Sequence, residues 1–262
     1  MIATVNGIKM AYSDEGQGLP LVFVHGFPLS RSAWQGQIDG LKASYRVIAP
    51  DLRGLGESES RSDTSMAQYA QDIHALLTQL GTGPVVLIGH SMGGYVVFEF
   101  ARQFSGMLRG LVLVGTKSGA DTAEAAAGRR ATAEKVAKEG PIVVVDAMAA
   151  KMLSAKNSDP TMATRVRAFM SPSRPDGVIA ALHAMAQRSD STDSLAKIRV
   201  ATLVITGGDD TIIPPSESEK LAAGIQGAQL TVIPDAGHLV GFEKPTEFNQ
   251  ALREWLRATF VT

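Results

Sequence analysis

The sequence predicts an α/β fold, a mostly parallel eight-stranded sheet flanked by helices. Three observations predict it. Short apolar runs recur along the chain, at Leu21 to Val24, Tyr45 to Ala49, Val85 to Ile88, Leu108 to Val114, Ala201 to Thr206 and Gln229 to Ile233. Runs this short, separated by stretches with helical spacing, read as buried parallel strands covered on both faces. A serine framed by glycines, Gly89-His90-Ser91-Met92-Gly93, follows one run directly and opens the apolar segment Tyr95 to Ala101. That order of strand, tight turn and helix is the sequence form of a nucleophile elbow.

Taken in chain order, Asn6-Gly7 offers two positive-φ positions for a type I′ turn, which makes a hairpin of Ile2 to Val5 and Ile8 to Tyr12. Ser65-Met66-Ala67-Gln68 fits a capping box, Ile73, Leu76, Leu77 and Leu80 follow at helical spacing, and Gly81 stops the helix. Near the C-terminus Pro245 suits a first helical turn, and Phe248, Leu252, Trp255 and Leu256 line one face, so Trp255 reads as core. Between Lys117 and Arg199 the alternation stops. This stretch reads as several helices punctuated at Gly140-Pro141, Pro160, Pro172 and Pro175 and is rich in methionine. The expected organisation is therefore a core of residues 1–116 and 200–262 with a helical cap insertion, residues 117–199, folded over the sheet edge.

With 262 residues and 45% hydrophobic residues, the chain can bury one substantial core. The 25 basic and 26 acidic residues leave a net charge of -1, with no electrostatic footprint for nucleic acid or an anionic membrane surface. The expected partner is a small, largely uncharged molecule. The lack of cysteine excludes disulfides, thiolate zinc sites and a cysteine nucleophile. No His-x-x-x-His or paired ligand cluster suggests a metal. The first residues lack the basic stretch and apolar run of a signal peptide, and no apolar run reaches the roughly 18 residues needed to span a bilayer, so the expected location is the cytoplasm.

The motif at Ser91 would arise by chance in roughly one chain in ten of this length, so its partners decide its meaning. A serine hydroxyl attacks only when a base takes its proton and a third group holds that base in the right tautomer. Asp210 follows the run Ala201 to Thr206 in the loop Gly207-Gly208-Asp209-Asp210, and His238 follows the last run in Ala236-Gly237-His238. Ser91, Asp210, His238 is the chain order the elbow fold requires. The oxyanion needs backbone donors, and the amides of Met92 and of Phe27, in His25-Gly26-Phe27-Pro28, are the candidates.

With these motifs and Asp51-Leu52-Arg53-Gly54-Leu55-Gly56-Glu57-Ser58, the chain resembles the α/β-hydrolase superfamily. It is most similar to small bacterial carboxylesterases and the 3-oxoadipate enol-lactonase-like group. The resemblance implies an α/β-hydrolase fold and hydrolysis of small carboxylic esters or lactones through an acyl-enzyme, without metal or organic cofactor. Ser91 would attack, His238 would shuttle the proton, and Asp210, favoured over Asp209 by its position, would orient the imidazole. A serine at the elbow argues against relatives whose chemistry needs a carboxylate there, the haloalkane dehalogenases and epoxide hydrolases. The rivals left are a cofactor-free perhydrolase, a hydrolase of carbon–carbon bonds, and a ligand receptor on a hydrolase scaffold.

Other polar residues have plainer readings. His90 should support the elbow, His25 should hydrogen-bond the backbone around the oxyanion loop, and His74 should lie at the surface or partly buried on a helix. His183 and the methionines of the insertion read as packing before substrate contact. Asp51 and Arg53 read as a loop brace. Phe169 is the one aromatic residue of the insertion, which suits short aliphatic or compact aromatic groups.

Overall fold

Asn6 and Gly7 both take positive φ, at 46° and 76°, and join β1 (Ile2–Val5) to β2 (Ile8–Glu15) as an antiparallel hairpin. The computed structural model describes residues 1–61, 64–170 and 173–260, so Pro172 lies outside the described residues. The strands that follow are β3 (Pro20–Val24), β4 (Arg46–Pro50), β5 (Val85–His90), β6 (Leu108–Val114), β7 (Ala201–Gly207) and β8 (Gln229–Ile233). They form one sheet in the order β1-β2-β4-β3-β5-β6-β7-β8, parallel from β4 to β8. The hairpin joins through an antiparallel β2–β4 pairing. All eight expected strands are present.

Side-chain alternation along the strands divides the core in two. Val22, Val24, Val85, Leu87, Leu111, Leu113 and Val204 face α2 (Met66–Gln79), α3 (Met92–Gln103) and α8 (Pro215–Gly224). Leu21, Phe23, Val86, Ile88, Val112, Val114 and Ile205 face α1 (Gln35–Leu41) and α10 (Pro245–Phe260). On α10 the residues Phe248, Leu252, Trp255 and Leu256 are all buried, each contributing about 1.5–3 kcal/mol. Only half of the expected capping box forms. Ser65 Oγ accepts the Gln68 amide at 3.1 Å, but the Gln68 side chain turns to Asp72.

Strand β8 is not the buried strand its composition suggested. It is the sheet edge, and Leu230 and Val232 are 37% and 46% exposed. Between β6 and β7 the chain leaves the sheet as α4 (Ala123–Glu139), α5 (Ile142–Met148), α6 (Pro160–Met170) and α7 (Pro175–Ala186). Met152, Met170 and Met185 are buried there, and Phe169 meets Phe242 edge-on at 4.9 Å. Phe242 sits on the short α9 (Val240–Glu243). Where the inserted segment leaves and re-enters the core its two arms are fastened together: Ser191 N donates to Ser118 O at 3.0 Å and Arg188 Nη2 to Gly119 O at 2.8 Å. No helix among the described residues is long and apolar enough to cross a membrane.

Candidate active site

Ser91 has φ 53° and ψ -116°, a conformation that L residues rarely adopt, and it stands between the end of β5 and the start of α3. Its neighbours force the turn. A Cβ on Gly93 would overlap the carbonyl oxygens of Val24 and His25, and one on Gly89 would lie 2.6 Å from Gly93 O. The helix start therefore sits against the end of β3, which only glycine permits. The elbow is tied to the next strand by Ser91 N to Val114 O (2.9 Å) and by Thr116 Oγ1 to Ser91 O (2.8 Å). Ser91 is partly exposed.

His238 and Asp210 meet behind the elbow, the imidazole Nδ1 lying 2.7 Å from Asp210 Oδ2, with both side chains buried. The other carboxylate oxygen accepts the amides of Ile212 and Ile213, each at 2.9 Å. Asp210 is thus held from both sides, by Nδ1 of the imidazole and by the two amides. His90 Nε2 donates to His238 O at 2.9 Å, which ties the histidine loop to the residue before Ser91. Gly115, at φ 47°, closes the gap. A Cβ there would lie 3.3 Å from Asp210 Oδ2 and 3.5 Å from His238 Nδ1.

Asp209, the neighbouring acid, faces elsewhere: Ser154 Oγ donates to its Oδ2 at 2.6 Å and Lys156 Nζ lies 3.2 Å from Oδ1. The Ser154 bond holds its carboxyl below the usual carboxylate range. The two adjacent acids have separate tasks, one on the imidazole and one on the inserted segment. The amides of Phe27 and Met92 take part in none of the loop and cap hydrogen bonds among the described residues. A Cβ on Gly26 would lie 2.8 Å from His90 Nδ1 and 3.0 Å from Ser91 Cβ, so the loop carrying Phe27 passes directly beside the elbow.

Set against protein-family models, residues 20–245 match one described as the alpha/beta hydrolase fold. The chain belongs to that family. A thermophilic esterase from Thermogutta terrifontis, solved with malate bound, superposes on this α/β hydrolase with a TM-score of 0.95 and 42% identity, over 99% of this chain and 98% of the other. A non-heme chloroperoxidase of Kitasatospora aureofaciens is 31% identical, over 97% of this chain and 98% of its own length. The enol-lactonase of Burkholderia xenovorans LB400, at 24% identity and TM-score 0.90 over 98% of this chain and 99% of the other, shares the fold.

The other histidines of the α/β hydrolase occupy separate surroundings. His25 accepts the Leu52 amide at Nε2 (2.9 Å), so its Nδ1 carries the proton and donates to Gly26 O (2.9 Å). It thereby joins the loop carrying Phe27 to the loop after β4. Burial lowers its pKa, and burial lowers that of His90 well below the ordinary value. His74 stacks on Phe104 at 3.9 Å. His183 borders a surface cavity with Ser60 and Gln187.

Asp51 and Arg53 do brace loops, through partners the sequence did not announce. The Asp51 carboxylate accepts the amides of Arg31 (2.6 Å) and Glu57 (2.9 Å) and pairs with the Arg31 guanidinium. Arg53 makes a buried fork to Asp72, at 2.7 and 2.8 Å. Sequence reasoning missed Gly115, Thr116 and Glu243 altogether. Gly115 and Thr116 carried a usable signal, since they follow a strand whose end must face the site. Glu243 carried none, because two of its partners lie 86 and 89 residues away.

Proposed function

We propose that this α/β hydrolase cleaves small carboxylic esters or lactones through an acyl-enzyme on Ser91. The observation that carries the reading is the buried His238–Asp210 bond at the strand ends that also hold Ser91 in its positive-φ turn. His238 Nε2 takes the hydroxyl proton as Ser91 Oγ bonds to the substrate carbonyl carbon. The amides of Phe27 and Met92 stabilise the oxyanion, each donor being worth about 3 to 4 kcal/mol of barrier. Collapse breaks the carbon–oxygen bond to the alcohol, which leaves with the proton from His238. A water deprotonated by His238 then releases the acid and restores Ser91. Residues 117–199 would serve as a cap that shapes the acyl and alcohol sites. The esterase likeness at 42% identity supports this reading.

The test is a panel of p-nitrophenyl esters of increasing acyl length beside several lactones, with Ser91→Ala as control. Turnover should fall by about 10⁶-fold in Ser91→Ala, the loss typical of removing a triad serine. Retained turnover in that variant would end the proposal. A second reading has its own support in the chloroperoxidase relative. Hydrogen peroxide replaces water on the acyl-enzyme, and the acyl carbon leaves Ser91 as a peracid. Peracid formed from acetate and peroxide faster than esters are hydrolysed would favour it.

A further inference from the structure

Glu243 stands five residues beyond His238, on α9, and is only 6% exposed. Its carboxylate gathers donors from two parts of the chain. Oε1 accepts the Ser154 amide (3.1 Å) and Asn157 Nδ2 (2.6 Å), while Oε2 accepts the Gly237 amide (2.7 Å) and shares the Ser154 amide (3.1 Å). Gly237 immediately precedes His238. Leu239, immediately after it, donates its amide to Met152 O at 2.9 Å. The strap 152–157 of the inserted segment therefore holds the histidine loop on both sides of the imidazole. The approach is close, since a Cβ on Gly237 would overlap the backbone of Leu153 and Ser154. The same strap reaches Asp209, the neighbour of Asp210, through Ser154 Oγ.

We infer that Glu243 is a positioning residue. It fastens the strap of the inserted segment to the loop of His238, so the inserted helices set where the imidazole stands relative to Ser91. This rests on the assignment of His238 as the base. Proton transfer requires His238 Nε2 within hydrogen-bond reach of the Ser91 hydroxyl, so the placement of the loop that carries the imidazole bears directly on rate. A displacement of 1 Å at such a point costs about 10²-fold in rate. The bonds to Glu243 are charge-assisted, the stronger class. Replacing one carboxylate oxygen by an amide nitrogen turns one of the Gly237 or strap contacts into donor against donor.

The experiment compares Glu243→Gln and Glu243→Asp with wild type, reading kcat and KM on p-nitrophenyl acetate, the rate of Ser91 phosphonylation by a fluorophosphonate, and the unfolding midpoint. In Glu243→Gln, kcat and phosphonylation should both fall about 10- to 100-fold with KM nearly unchanged. Glu243→Asp, which keeps both oxygens, should recover part of the loss. A lower midpoint with kcat and phosphonylation intact would reduce Glu243 to a structural role and overturn the inference. Should Glu243→Gln fail to fold, Asn157→Ala removes one donor from the strap side, and an unchanged kcat there overturns the inference equally. Wild-type protein that phosphonylates at Ser91 yet hydrolyses no ester or lactone would defeat the substrate reading alone, while the phosphonylation rates still test Glu243.

Discussion

Replacing Asp210 by Asn tests the proposed division of labour between the two adjacent acids. The amides of Ile212 and Ile213 both point at Asp210 Oδ1, each at 2.9 Å, so an asparagine keeps its oxygen there. Its NH₂ must then face His238 Nδ1, where Oδ2 stood at 2.7 Å. A donor in that position forces Nδ1 to accept, which moves the imidazole proton to Nε2 and leaves it unable to take the proton of Ser91. The same carboxylate-to-amide change in a serine protease triad lowers kcat by about 10⁴, equivalent to about 5.4 kcal/mol of barrier. Fold should survive, because the two buried amides keep an acceptor. Asp209→Asn, by contrast, loosens only contacts to Ser154 and Lys156 on a partly exposed side chain and should leave kcat within several-fold. The assay is kcat/KM on p-nitrophenyl acetate with circular dichroism on both proteins. Equal losses in two folded variants would refute the assignment.

Gly26→Ala should lower kcat about 10²- to 10³-fold at little change in KM, because its Cβ, 3.0 Å from Ser91 Cβ, pushes the loop of Phe27 off the oxyanion position; steady-state kinetics with unchanged kcat would count against Phe27 as a donor. Unfolding free energy should fall by roughly 1 kcal/mol on going from pH 7.5 to 5.5 through His90 alone, measured by urea titration as the difference between wild type and His90→Gln. The sign follows from burial: the folded state holds His90 neutral well below 6.5 while the unfolded state binds a proton, so the stabilisation present above pH 6.5 is lost as pH falls, and His25 acts in the same direction. No difference between the two proteins would contradict the buried neutral histidine. Asp72→Ala strips both fork bonds from buried Arg53 and should cost about 3–5 kcal/mol, or about 10 °C in Tm, by calorimetry. At roughly 2–4 °C per kcal/mol, a shift under about 2 °C would correspond to less than about 1 kcal/mol and would show that the pair is not the brace it looks to be.

What the sequence revealed is what adjacent residues determine. The Asn6-Gly7 turn, the elbow and the Pro245 helix start each depend on backbone preferences within a few positions, and each formed as read. That the loops carrying Ser91, Asp210 and His238 leave the same end of the sheet was legible because β5, β7 and β8 run parallel. Features decided by distant neighbours were not legible. Strand β8 has the composition of a buried strand, but nothing local says that no further strand pairs beyond it. Gln68 completes a capping box only if no better acceptor competes, and Asp72 one turn later, already held by Arg53 and Asn6, is a better one. Helix α1 is seven residues with two glycines and shows almost no periodicity; its Ile38 and Leu41 are ordered by packing against the face that α10 also covers.

The arrangement around Ser91 explains why glycines at 26, 93, 115 and 237 matter more than their ubiquity suggests. A Cβ at Gly26 or Gly93 meets the elbow or the end of β3, one at Gly115 presses on the carboxylate–imidazole pair, and one at Gly237 meets the strap. Each glycine borders a different part of the proposed chemistry: the oxyanion loop, the nucleophile turn, the base and its orienting acid, and the inserted segment. Close backbone approach at these four positions packs the loops that carry Phe27, Ser91, Asp210 and His238 against their neighbours without intervening side chains. The site therefore depends on main-chain positions as much as on three side chains. A graft of Ser91, Asp210 and His238 onto a scaffold with side chains at these four positions should bring the same residue types together and still fail to acylate.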